Sequence, residues 1–278
     1  MKKSHKIGRF LGIVLVVLVL LLVGAVIGFK IYTSHYYATD MEVSDQITNE
    51  YADKVEVFSN NDGTAFFPKN QEYRAIIVFY PGGKVEYTAY SSLMYKLSSR
   101  GYICLLTRMP ENIAILRVNK VEGLVPEDEV VKKLANEMDW YMAGHSLGGA
   151  AASKYLSDAF SGSAEASEEA AEPLNDDLAK FKGLILCGAY PANDLSQAPI
   201  RLLSIYGSND GVMNRESYEE YRANWPADST EEIIEGGNHS YFGTYGLQDG
   251  DGEATISNEE QLEITAELID EWISKAGK

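Results

Sequence analysis

Gly144-His145-Ser146-Leu147-Gly148-Gly149 sets a serine midway between two glycines, each two positions away. A serine hydroxyl is a poor nucleophile at neutral pH and needs a base and a suitable geometry to become a good one. The G-x-S-x-G spacing suits a sharp strand-to-helix turn, because a Cβ at 144 or 148 would strike the adjoining strand or helix. The flanks agree with such a turn. Asp139–Ala143 reads as a short buried strand, and Gly149–Ala159 reads as a helix of small residues able to lie close against a sheet. The competing reading is a glycine-rich turn with an incidental serine.

A nucleophilic serine needs a proton acceptor, and the chain offers four histidines. His5 precedes a long apolar run and His35 follows it, while His145 adjoins Ser146 and should point away from the serine side chain. That leaves His239, in the loop Gly236-Gly237-Asn238-His239, where small neighbours let an imidazole swing over the edge of a sheet. The alternative for His239 is a solvated loop histidine.

The elements that must position these residues alternate along the chain. Val55–Ser59 and Thr64–Phe67 flank the hairpin signal Asn60-Asn61-Asp62-Gly63. Strand-like runs follow at Ala75–Tyr80, Tyr102–Thr107, Trp140–Ala143, Gly183–Gly188 and Ile200–Tyr206, with an expected edge strand at Glu231–Glu235. Helical patterns occupy Glu86–Arg100 and Asn258–Lys275. Strands separated by helices predict an α/β fold with a mostly parallel central sheet flanked by helices. Ser161–Asp177 is acidic and Ala/Ser-rich, and reads as a flexible insertion or a frayed helix end. A helix that starts at the serine turn ends on the far side of the sheet, so this segment should lie away from the nucleophile.

Phe10–Phe29 contains no charged or strongly polar residue. Its length, at about 1.5 Å per residue, spans a bilayer core of about 30 Å, which predicts one N-terminal transmembrane helix. Lys2, Lys3, Lys6 and Arg9 precede the run and Lys30 follows it. This asymmetry places the N-terminus in the cytoplasm and the rest of the chain outside. A cleaved signal peptide is the rival, although its apolar region is normally shorter and no A-x-A site follows. The expected organisation is a cytoplasmic tail at 1–9, a membrane anchor at 10–29, a juxtamembrane stalk at 30–54 and one domain at 55–278. Five of the 24 basic residues lie within the first 30, leaving 19 against 41 acidic ones, a net charge of −22 for the outer part. That excess argues against nucleic acid as a partner. Cys104 and Cys187 both fall in apolar runs, where a cysteine is usually a small buried hydrophobe, and no disulfide is required. No metal-ligand spacing appears, and the acidic Asp249-Gly250-Asp251-Gly252-Glu253 stretch reads as a turn rather than a calcium loop.

Five motifs together resemble the α/β-hydrolase superfamily, and within it the compact, cap-less bacterial hydrolases grouped with the dienelactone-hydrolase-like members. They are Phe79-Tyr80-Pro81-Gly82-Gly83-Lys84-Val85-Glu86-Tyr87, Arg108-Met109-Pro110, the serine turn, Tyr206-Gly207-Ser208-Asn209-Asp210-Gly211, and Gly236–His239. The resemblance covers about Val55 to Ile273. It implies the order Ser…Asp…His, which makes Asp210 the acid that orients His239, with Asp194 as the other candidate. It implies an oxyanion hole from the amides of Leu147 and Gly83, where many relatives carry His-Gly and this chain carries Pro81-Gly82. Only eleven residues separate Gly188 from Ile200, too few for a cap domain, so the site should be open and shaped by loops 80–90, 108–125, 189–198 and 240–246.

The expected activity is cleavage of carboxylic esters, small or lipid-like, through an acyl-enzyme, with no cofactor. Tyr87, Tyr190, Tyr241 and Phe242 are the expected lining of an acyl or aryl pocket, although among eighteen tyrosines they also fit ordinary packing. An acyltransferase with the same triad, or a catalytically silent exported binding protein on the same scaffold, are the alternatives.

Overall fold

The structure is a computed structural model and describes residues 2–119, 136–169 and 176–275. The chain divides into two compact units, Met1–Tyr36 and Tyr37–Lys278. The first is a single helix, α1 (Lys2–Ser34), whose Phe10–Ser34 stretch is long and apolar enough to cross a membrane. Its side chains from Phe10 to Phe29 are exposed around the whole circumference, and a helix apolar on every face needs cover such as a bilayer provides.

The second unit is built on an eight-stranded sheet: β1 (Val55–Ser59), β2 (Gly63–Pro68), β3 (Ala75–Tyr80), β4 (Tyr102–Thr107), β5 (Trp140–His145), β6 (Phe181–Cys187), β7 (Arg201–Gly207) and β8 (Ser229–Ile234). Their spatial order is β1-β2-β4-β3-β5-β6-β7-β8. The hairpin β1–β2 is antiparallel, as is β2 against β4, and every other pair is parallel. The central strands are apolar on both faces because both faces are covered. Alternate residues Ile77, Phe79, Tyr141, Ile185 and Leu203 face one layer, where α3 (Ser91–Ser98) contributes Leu93 and Leu97 and the closing helix contributes Leu262 and Ile269. Ile76, Val78, Met142, Leu184 and Leu202 face the other layer with Ala151, Ala152 and Leu156 of α4 (Leu147–Glu169). Ala151, Ala152 and Ser153 of α4 are completely buried, so its axis lies close to the sheet there. Short helices α5 (Asp176–Ala179) and α6 (Arg215–Glu220) precede the closing helix α7 (Asn258–Ser274), which Ser257 caps by accepting from the amide of Glu260.

Three expectations take a different form in the structure. The 30–54 stalk contains α2 (Met41–Asn49), capped by Asp40 and burying Ile47, and residues from Tyr37 onward belong to the compact second unit. Only Val43 and Ile47 mark the apolar face of α2, too short a pattern to stand out before its partners are known. The helix predicted over Glu86–Arg100 begins as a 3₁₀ turn at Tyr87–Tyr90 and becomes α-helical at Ser91. The acidic Ser161–Asp177 segment is helical through Glu169, and its residues 170–175 lie outside the described residues, as do residues 120–135 ahead of β5. Cys104 and Cys187 are buried free thiols on strands separated by β3 and β5. Three strand spacings of about 4.8 Å exceed the reach of a disulfide.

Candidate active site

Ser146 follows the last residue of β5 and precedes the first residue of α4, with φ of +52°. A non-glycine residue in the left-handed region is strained, and here the strain is held by packing. A Cβ on Gly144 would lie 2.5 Å from the carbonyl carbon of Gly148, and one on Gly148 would lie 2.1 Å from the carbonyl oxygen of Tyr80. Both distances are impossible for real atoms, so the turn closes only with glycine at these places. The amide of Ser146 donates to Cys187 O at 3.0 Å, which ties the turn to the end of β6.

Leu147 opens α4, and its N–H is one of the first-turn donors with no acceptor inside the helix. Gly83 packs directly against it: a Cβ on Gly83 would sit 2.8 Å from Leu147 Cδ2. The amides on either side of Gly83 are engaged, Gly82 N–H with the Tyr90 hydroxyl at 3.0 Å and Lys84 N–H with Asn112 O at 2.7 Å. The 108–125 loop that carries Asn112 is described only as far as Asn119.

His239 and Asp210 meet where the loops after β8 and β7 converge. His239 Nδ1 lies 2.8 Å from Asp210 Oδ2, with both side chains at most 1% exposed. Asp210 Oδ1 accepts from the amides of Val212 and Met213 at 2.9 and 2.8 Å, which fixes the carboxylate with Oδ2 turned to the imidazole. Asp194, the other candidate acid, is exposed and accepts from the amide of Ser196, whose hydrogen bonds hold its carboxyl below the usual range. Gly188, at φ +54°, leaves room for the pair: its Cβ would lie 2.9 Å from His239 Nδ1. Nε2 of His239 is buried and has no hydrogen-bond partner, so Ser146 and His239 are not hydrogen-bonded in this structure.

Sequence reasoning missed two features of the site. The first is His145, whose ring lies against that of His239 with centroids 4.4 Å apart, while its Nδ1 is 2.8 Å from the Tyr90 hydroxyl. Burial, reinforced by the neighbouring His239, holds its pKa well below the ordinary histidine range, so it is a neutral packing partner of His239. The second is Asp251, one of the acidic residues read as a simple turn. Its Oδ1 accepts from the amides of Gly211, His239 and Gly252, and its Oδ2 accepts from the amide and hydroxyl of Ser240. The carboxylate therefore braces the histidine loop and the Asp210 loop together. Its oxygens face N–H and O–H donors, an arrangement hostile to a cation. The alternation of Asp and Gly over 249–253 was the available signal, but it does not reveal which distant amides the carboxylate reaches.

Of the expected lining residues, Tyr87, Tyr190 and Tyr241 are partly exposed, whereas Phe242 is completely buried and packs 5.5 Å from the ring of His145. Tyr190 stacks on Tyr221 with ring centroids 5.5 Å apart. Between β6 and β7 the chain makes only turns and bends, with no intervening helix.

A search of curated proteins gives no match. The sequence pattern of the alpha/beta hydrolase family matches residues 76–263, a span that runs from β3 into α7 and takes in the serine turn, Asp210 and His239. The match covers more than half of the chain and agrees with the observed sheet. The chain belongs to the alpha/beta hydrolase family, whose members are generally hydrolytic.

Proposed function

We propose that this protein is a serine hydrolase that cleaves carboxylic esters through an acyl-enzyme. The observation that carries the reading is the 2.8 Å contact of Asp210 with His239 Nδ1, which leaves Nε2 as the free face of the imidazole. Ser146 Oγ attacks the ester carbonyl carbon as Nε2 takes its proton, and Asp210 holds the tautomer and stabilises the imidazolium. The amides of Leu147 and Gly83 receive the oxyanion. Collapse of the tetrahedral intermediate breaks the bond to the alkoxy group, which leaves with the proton from Nε2. Water, deprotonated by the same nitrogen, then releases the acid and restores Ser146. Tyr87, Tyr190 and Tyr241 line the acyl or aryl side of the site, and Phe242 supports it from behind His145.

The apolar Phe10–Ser34 helix serves as a membrane anchor in this reading, with the basic N-terminus in the cytoplasm and the hydrolase domain outside. Small or lipid-like esters are the substrates. A fluorophosphonate probe tests the chemistry: wild type should label stoichiometrically and Ser146→Ala not at all. Equal labelling of the two would end the covalent mechanism. Protease added to intact cells tests the orientation; a domain protected until the membrane is opened would invert it.

A further inference from the structure

The segment Tyr37–Asp40 makes contacts that its place ahead of the domain does not require. Tyr37 forms a parallel bridge with Val85: its amide donates to Lys84 O at 2.8 Å, and its carbonyl accepts from Glu86 N at 2.9 Å. Thr39 continues the contact, its amide donating to Glu86 Oε2 at 2.9 Å and its hydroxyl lying 2.6 Å from that of Thr88. These partners lie directly after Gly83, in the loop from which one oxyanion donor is drawn. The same four residues also reach the histidine loop. Asp40 N–H donates to Thr244 O at 2.7 Å, the Tyr37 hydroxyl accepts from Asp249 N at 3.1 Å, and the Tyr37 ring lies 5.8 Å from that of Tyr245. Tyr245 in turn lies 6.4 Å from both Tyr90 and His145, and His145 packs on His239.

Two loops about 160 residues apart in sequence are therefore held by one short strap. Oxyanion stabilisation depends on where the donors are fixed before reaction, and a displacement of about 1 Å can cost about 100-fold in rate. We propose that Tyr37–Asp40 is a positioning strap of the active site, setting the oxyanion loop against the loop that carries the base. Tyr37 is its principal positioning residue. It touches no reacting atom and acts through Lys84, Glu86, Asp249 and Tyr245. The proposal rests on the hydrolase reading above and extends the working site to residues ahead of β1.

The test uses the full-length protein in detergent micelles with Tyr37→Phe, Tyr37→Ala and Tyr37→Pro, each assayed well below its melting temperature. Tyr37→Pro removes the amide N–H that reaches Lys84 O together with the ring and hydroxyl, Tyr37→Ala removes the ring and hydroxyl, and Tyr37→Phe removes the hydroxyl alone. On a small water-soluble ester, kcat should fall about 10- to 100-fold for Pro and Ala and about 3-fold for Phe, with KM within about twofold of wild type. Fluorophosphonate labelling should slow in parallel, and amide exchange should rise over 82–86 and 244–249 while the sheet stays protected. Wild-type kcat and exchange in a folded Tyr37→Pro would overturn the proposal, as would a rate loss matched by the unfolded fraction. If wild type labels no more than Ser146→Ala, the hydrolase reading fails, and the exchange measurement alone then decides whether the strap orders the two loops.

Discussion

The serine turn and the histidine loop meet through the rings of His145 and His239, yet they are fixed by opposite means. Around Ser146 the chain is held by the absence of atoms: Gly144 and Gly148 bring backbone so close to backbone that no side chain fits. Around His239 it is held by added polar groups. Asp251 gathers the amides of Gly211, His239, Ser240 and Gly252, and Gln261 exchanges two hydrogen bonds with the backbone of Asn238. Steric closure is all-or-none. Hydrogen-bonded closure is graded, because each donor lost loosens the loop without abolishing it. In the proposed mechanism the first suits a nucleophile that must stay strained, and the second a base whose reach has to be set to fractions of an ångström.

This contrast predicts different responses to small changes. Gly148→Ala should have the largest effect, since its methyl would meet the Tyr80 carbonyl oxygen at 2.1 Å; we expect a cost of about 3 kcal/mol or more in stability, read by thermal melting, and no measurable turnover. Next comes Asp210→Asn, which keeps the shape but favours the wrong imidazole tautomer. It should lower kcat by about 10³-fold or more while leaving the melting temperature close to that of wild type. Asp251→Asn should be milder, about 10-fold in kcat with KM little changed, because it weakens the brace without removing the pair. If Asp251→Asn proved as severe as Asp210→Asn, the graded picture of the histidine loop would be wrong.

How far each region was legible in the sequence follows from the same difference. Sterically closed turns leave a short, contiguous signature, so Ser146 and its glycines stand out in six residues. The parallel sheet was equally legible, because strands covered on both faces appear as unbroken apolar runs. Asp251 and Tyr37 work through partners tens to hundreds of residues away, and nothing in their own neighbourhoods separates them from a surface turn or a linker. The contact of His145 was illegible for a related reason: sequence places it next to Ser146, but only the fold brings the ring of His239 against it.

Three smaller effects sharpen the account. His145 is kept neutral by burial and by His239, so the acid limb of the kcat/KM profile should report a single ionisation; a slope of two would show both imidazoles titrating. Away from the site, Lys96 is almost completely buried and donates to Glu263 Oε2 at 2.8 Å and to the Tyr51 hydroxyl at 3.2 Å. Burial alone would raise the pKa of Glu263, but Lys96 and the charge of Arg100 outweigh it and hold the carboxyl below its ordinary value. A depressed carboxylate stabilises the fold above its unfolded pKa of about 4.3 and loses that contribution as pH falls through the folded value. The melting temperature should therefore drop on acidification into that range, and Glu263→Gln should flatten part of the drop. Smallest of all, removing residues 1–30 should leave activity on water-soluble esters within about twofold of wild type, because the strap and the whole second unit are retained.

The central claim is that Ser146 becomes acylated, and rapid-quench analysis of a nitrophenyl ester tests it most directly. The account predicts a burst of about one nitrophenol per chain, with the acyl mass on the peptide that contains Ser146, and neither in Ser146→Ala. Continued hydrolysis by Ser146→Ala at the wild-type rate, with no acyl adduct on either protein, would contradict it.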